Sequence, residues 1–204
     1  MTGKKTNNKY VSDHYSRQAK KDDFPARSVY KLKEIQQKLQ IIKQGDKVLD
    51  LGCAPGSWTK FAGELVGEKG LVIGIDQKAI SERFPTHVHI MTGDVIVLAE
   101  KDADDLAGLI GEGFHAVLSD MAPSTTGRKE VDAARSYYLC RAALTIAGKI
   151  LEPGGFFVCK IFQGEDFNEF VNKVAGDFEQ HKIFKPQSCR KESKEIYIIG
   201  LGKK

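Results

Sequence analysis

The apolar positions of this chain change their spacing in a regular way. Over residues 28–39, Val29, Leu32, Ile35 and Leu39 recur at helical intervals, which predicts a helix. Ser28, placed after Pro25, is positioned to cap it, and Gly45-Asp46 breaks it. Residues 48–51 form a short apolar run and predict a strand. A helix follows over 57–66, stopped by Gly67 and Gly70. Residues 71–75 predict a second strand, bounded by Asp76, and 88–91 a weaker third. Residues 98–110 read as one acid-rich helix and 114–118 as a fourth strand. A long helix is expected over 131–151, ended by Pro153-Gly154-Gly155, before a fifth strand at 156–159. A helix over 167–178 and strands at 183–184 and 196–201 complete the pattern.

Strands that alternate with helices make an α/β domain with a mostly parallel sheet, a Rossmann-like arrangement. Short strands of continuous apolar character fit a sheet covered by helices on both faces. The last two strands lie close together in sequence, which favours an antiparallel hairpin at one edge of a seven-stranded sheet. In such sheets ligands sit beyond the carboxyl ends of the strands. The residues just after each strand are therefore the ones to inspect.

The 204 residues suffice for one domain with a real core. No apolar run approaches the length of a membrane span, and the first ten residues lack the apolar stretch of a secretory signal. Cys53, Cys140, Cys159 and Cys189 form no C-x-x-C pair, so a disulfide framework is not expected and a reducing cytoplasm is the expected compartment. The net charge of +4 hides an asymmetry. Residues 1–33 hold nine basic and three acidic side chains, and residues 181–204 hold seven and two, so the middle carries −7. Basic ends on an acidic body suit a polyanion. Tyr10, Tyr15, Phe24 and Tyr30 interleave with the N-terminal charges, and aromatic rings can stack on unpaired bases. Residues 1–24 are accordingly expected to be a flexible, basic, RNA-contacting segment, with a single folded domain over 25–204. The histidines, including the His87/His89 pair, make no metal-ligand constellation, and no metal is expected.

After the first strand comes Asp50-Leu-Gly-Cys-Ala-Pro-Gly-Ser-Trp58. Gly52 and Gly56 permit a tight turn with close backbone approach, and a helix opens at once. The loop is neither G-x-G-x-x-G, because residue 54 is not glycine, nor a P-loop, because no Gly-Lys-Ser/Thr follows. It suits a nucleoside ligand without a pyrophosphate. Asp76, ending the second strand, can take both ribose hydroxyls of an adenosine. Asp94, after the third, can accept from an exocyclic amine. S-adenosylmethionine fits this combination best.

DLGCAPGSW (50–58), SDMAP (119–123), PGG (153–155), KIFQG (160–164) and SKEIYIIG (193–200) together resemble the FtsJ/RrmJ family of RNA ribose 2′-O-methyltransferases, over nearly the whole chain from about Tyr15. Cys53 and Ser57 stand where small residues, often Ala and Gly, are usual, and 77–87 does not match. The resemblance implies S-adenosylmethionine as methyl donor, bound through Gly56, Trp58, Asp76, Asp94 and Asp120. It implies a catalytic tetrad of Lys31, Asp120, Lys160 and Glu195. It also implies a ribose of large-subunit (23S) ribosomal RNA as substrate, a uridine of the peptidyl-transferase A loop. The expected partner is thus ribosomal RNA or the large subunit, with no DNA or membrane, and a monomer as the acting species.

The chemistry needs such residues. A ribose hydroxyl is a poor nucleophile while protonated, so a base, or a field that stabilises developing alkoxide, assists methyl transfer. Lys160 and Asp120 follow the fifth and fourth strands, so both reach one crevice. A lysine base must be neutral, and a second cation such as Lys31 or partial burial favours that form, while Asp120 and Glu195 oppose it. Tyr197 shares the strand face of Glu195 and is expected to help hold substrate. Three other readings compete: a tRNA anticodon-loop ribose methyltransferase, a non-catalytic RNA-binding assembly factor with a vestigial pocket, and a small-molecule methyltransferase. The intact tetrad speaks against the second. The basic ends and the lack of an inserted lid domain speak against the third.

Overall fold

The computed structural model describes residues 8–190 and 193–204. Its sheet has seven strands: β1 (Lys47–Leu51), β2 (Leu71–Asp76), β3 (Val88–Thr92), β4 (Phe114–Ser119), β5 (Leu151–Phe162), β6 (Phe178–Phe184) and β7 (Glu195–Lys203). Their order is β3-β2-β1-β4-β5-β7-β6. The first five run parallel, and β7 is antiparallel to both of its neighbours. The expected edge hairpin is thus present, with β7 inserted between β5 and β6. The helices are α1 (Asn8–Lys21), α2 (Val29–Leu39), α3 (Ser57–Val66), α4 (Val95–Glu100), α5 (Ala103–Ile110), α6 (Lys129–Ile150) and α7 (Phe167–Asp177).

Strand alternation divides the core between the two faces of the sheet. Leu49, Leu51, Ile73, Ile75, Val117, Phe157 and Ile198 pack with Val95, Leu106, Ile146 and Phe170. Their neighbours Val48, Val72, Leu118, Val158 and Ile199 pack with Leu32, Ile35, Trp58 and Ala62 from α2 and α3. Asp50 falls in this second series and is fully buried. Desolvation pushes its carboxyl up to about 7, although the Thr59 hydroxyl donates to it at 2.6 Å.

Apart from shifted ends, such as β6 starting at Phe178 instead of 183, four elements differ from expectation. The helix over 98–110 is two helices, because Asp102 is extended and its carboxylate accepts from the Asp105 amide, starting a new helix at Ala103. Strand β5 begins at Leu151, directly after α6, and carries Pro153-Gly154-Gly155 as an irregularity where its register with β4 shifts. Ser28 precedes α2 but makes no side-chain cap, since it is itself in helical conformation. Its carbonyl instead accepts from the Trp58 indole at 2.8 Å, tying α2 to α3.

The fourth difference is at the N-terminus. Residues 1–7 lie outside the described residues, but 8–21 form α1 rather than a flexible segment. Ala19 and Phe24 are buried in a third cluster with Val29. The Lys33 ammonium lies 4.3 Å from the centre of the Phe24 ring. Phe24 is therefore a packing residue and not a base-stacking one. The Phe24→Ala variant should lose about 3–5 kcal/mol of stability, as buried Phe→Ala changes do. Denaturant titration checks this, and an unchanged midpoint would mean that α1 does not dock.

Candidate active site

Beyond the carboxyl ends of the parallel strands lies a crevice of about 440 Å³, with Gly52, Asp76, Asp94, Asp120, Met121 and Pro123 in its walls. Gly52 has φ +75°, and a Cβ there would fall 2.2 Å from the Met121 side chain, so the wall admits only glycine. Asp76 is held by two backbone amides, Ala54 at 3.0 Å and Lys78 at 2.8 Å. Asp94 caps α4, accepting from the Ile96 amide at 2.8 Å. Gly56 and Trp58 are buried and do not form the wall. Gly56 starts α3 with φ 106°. Trp58 stacks on Tyr197, with ring centres 5.8 Å apart.

Asp120 belongs both to this wall and to a polar cluster behind it. Register explains the convergence. Ser119 pairs with Cys159 across β4 and β5, so Asp120 and Lys160 follow side by side. Strand β7 runs the other way, so its first residues reach the same end, with Tyr197 opposite Lys160 and Glu195 opposite Phe162. The Lys160 ammonium is 3.0 Å from the Asp120 carboxylate and also donates to the Asp120 carbonyl. Lys31, brought in by α2, sits 2.9 Å from Glu195 and 3.7 Å from Asp120. The Tyr197 hydroxyl donates to the same Asp120 oxygen that faces both lysines.

Burial by itself would raise Asp120, but Lys160, Lys31 and the Tyr197 hydroxyl hold it below the ordinary carboxylate range. Glu195 is treated alike: burial opposes its charge, and Lys31 and the Cys189 thiol keep its pKa low. For Lys31, burial favours the neutral amine, yet Asp120 and Glu195 raise it above the usual lysine value. Desolvation and Asp120 push the Tyr197 phenol far up, so it remains a donor. Burial and Glu195 push the Cys189 thiol up to about 12.

A family model described as FtsJ-like methyltransferase matches residues 24–203. The chain belongs to the FtsJ-like methyltransferases. It is 55% identical over 193 residues to a protein named Ribosomal RNA large subunit methyltransferase E from Desulforapulum autotrophicum, covering 95% of this chain and 93% of that one. It is 53% identical to the protein of that name from Desulfosudis oleivorans, covering 98% and 94%. A crystal structure from Plasmodium falciparum, described as a putative ribosomal RNA methyltransferase, superposes with a TM-score of 0.75 at 25% identity, covering 88% of this chain and 98% of that one. This FtsJ-like enzyme is an S-adenosylmethionine-dependent methyltransferase. The crevice suits such a donor: Asp76, Asp94 and Asp120 face it against Lys78 alone among its wall residues, which favours a sulfonium and disfavours a pyrophosphate.

The structure brings Lys31, Asp120, Lys160 and Glu195 into one cluster, and Asp76, Asp94 and Asp120 to one crevice. It corrects the reading of Tyr197, which is fully buried against Asp120 and unavailable to substrate. Cys189 beside Glu195 went unrecognised, because nothing in its sequence neighbourhood signals that contact.

Two outcomes are expected. Asp76→Ala should weaken S-adenosylmethionine binding by about 1–3 kcal/mol, through unpaired ribose hydroxyls; calorimetry showing wild-type affinity would remove Asp76 from the ribose site. The second concerns pH. The lowered carboxyls contribute stability above their ordinary values of 3.8 and 4.5 and lose it as pH falls through the folded values. Raised Lys31 contributes below its ordinary 10.5 and loses this only at higher pH. Lys31→Met should therefore cost about 3–5 kcal/mol, constant from about pH 5.5 to 9.5 and shrinking in strong acid. Chemical denaturation across pH measures this, and a cost that changes near neutrality would contradict the assigned ionisation.

Proposed function

We propose that this enzyme methylates a ribose 2′-hydroxyl in large-subunit (23S) ribosomal RNA, at a uridine of the peptidyl-transferase A loop. It acts as a monomer in the cytoplasm. One observation carries the reading: Lys31, Asp120, Lys160 and Glu195 form a single connected cluster whose central member, Asp120, is also a wall of the crevice. The relatives named as large-subunit ribosomal RNA methyltransferases support ribosomal over transfer RNA as substrate.

When bound, S-adenosylmethionine supplies an electrophilic methyl group whose sulfur leaves as a neutral thioether, so the chain need provide no acid. Asp76 would hold the ribose of the donor and Asp94 its base, while Gly52 and Gly56 shape the loop and Trp58 braces it from behind. Lys160 takes the proton of the 2′-hydroxyl or stabilises the developing alkoxide. Asp120 aims Lys160 through the 3.0 Å contact, and Tyr197 fixes Asp120 in turn. Lys31 holds Glu195 and places a positive charge near Asp120. With Lys31, Asp120 and Glu195 ionised, their charges sum to −1, so the positive charge that a proton from the 2′-hydroxyl places on Lys160 is balanced.

Lys160→Ala should reduce single-turnover methylation about 10²–10⁴-fold with donor and RNA affinity retained. Lys160→Arg should fail as well, because guanidinium does not release its proton. Near-normal activity of the arginine variant would leave Lys160 only a fixed charge. Mass mapping of ribose methylation in total rRNA and tRNA, with and without the protein, tests the substrate. A mark that appears in tRNA alone would refute the ribosomal assignment.

A further inference from the structure

Helix α2 carries a second feature on the face beside Lys31. A groove of about 420 Å³ runs between α1, α2 and the end of β6, with Tyr15, Tyr30, Lys33, Lys38, Phe184 and Lys185 in its walls. Tyr15 and Tyr30 are half-buried with ring centres 5.3 Å apart, so they present a paired aromatic wall. Lys38 lies 4.7 Å from the centre of the Phe184 ring on the opposite side. Lys38, Lys182 and Lys185 are exposed, and Lys182 stands in an adjoining hollow that shares Lys38 and Phe184. The acidic wall residue, Glu34, has both carboxylate oxygens on the amides of Gln187 and Ser188, at 2.7 and 2.8 Å. It serves the loop and is not directed at a ligand.

This combination of flat aromatic faces and a row of lysines binds a particular chemistry. An unpaired nucleotide offers a base to stack on the rings and phosphates for the exposed lysines to neutralise. The groove is built in part on the same elements as the polar cluster. Tyr30 precedes Lys31 on α2, and the loop from Lys185 leads to Cys189, beside Glu195. We propose that the groove is a subsite for an unpaired nucleotide of the RNA flanking the one that is methylated, its base held by Tyr15, Tyr30 and Phe184 and its phosphates by Lys33, Lys38, Lys182 and Lys185. The proposal rests on RNA being the substrate, as stated under Proposed function.

The test uses the full chain and single-stranded oligoribonucleotides carrying 2-aminopurine at successive positions around the target. Wild-type protein should quench the probe at one flanking position. Tyr15→Leu should abolish that quenching and weaken binding about 10-fold, within the range for loss of one stacked base. The triple variant Lys38→Ala/Lys182→Ala/Lys185→Ala, altered only at exposed positions, should lower the salt slope of binding by about 2, as three lost single-strand phosphate contacts would. S-adenosylmethionine affinity should stay at the wild-type value in both variants. Wild-type quenching and salt slope in the variants would overturn the subsite while leaving the substrate assignment intact. Equal losses on duplex and single-stranded RNA with no quenching would also overturn it, since a charged patch alone would then suffice. Absence of RNA binding and methylation by the wild-type protein would instead refute the reading on which it rests.

Discussion

One carboxylate oxygen of Asp120 meets two ammonium groups and a phenol at the largely buried back of the crevice. Such a group is costly to bury unless every partner is in position. The surrounding fold can be understood as the means of satisfying that requirement. Strand β4 ends at Asp120, β5 delivers Lys160, β7 delivers Tyr197 and Glu195, and α2 delivers Lys31. Trp58 then links two of these pieces, stacking on Tyr197 while its indole donates to the backbone ahead of α2.

Much of this was legible in the chain. The parallel strands appear where short apolar runs end at a polar or glycine residue, because a sheet covered on both faces leaves that pattern. Asp120 and Lys160 were legible for the same reason, as charged residues directly after apolar strands. Lys31 and Glu195 were not. One lies in an amphipathic helix and the other at the start of a late strand, and only tertiary packing turns them toward Asp120. They were found through resemblance to a family, not through spacing.

The misreadings share a cause. Tyr197 was expected near substrate because it shares a strand face with Glu195. That face is covered by α2 and α3, with Trp58 stacked on the ring, so the phenol is enclosed. Phe24 was assigned to a flexible segment on composition, but a single buried ring and Ala19 suffice to dock α1. Asp50 carried a signal that went unused. Alternation puts it on the same covered face as Val48, so a carboxyl there had to be buried and its pKa raised by desolvation.

The insertion of β7 also ties the two edges of the sheet's construction together. It follows every other element of the sheet in the chain, yet β6 has no strand neighbour except β7. Strand β7 alone joins β6 to the parallel strands, and it covers the edge that β5 would otherwise leave open. The polar cluster around Asp120 takes Glu195 and Tyr197 from this same strand. The crevice draws its wall from residues that all precede β5, whereas the cluster behind Asp120 also draws on β7. The two halves of the site therefore come from opposite ends of the sheet's chain order, and only the complete sheet joins them.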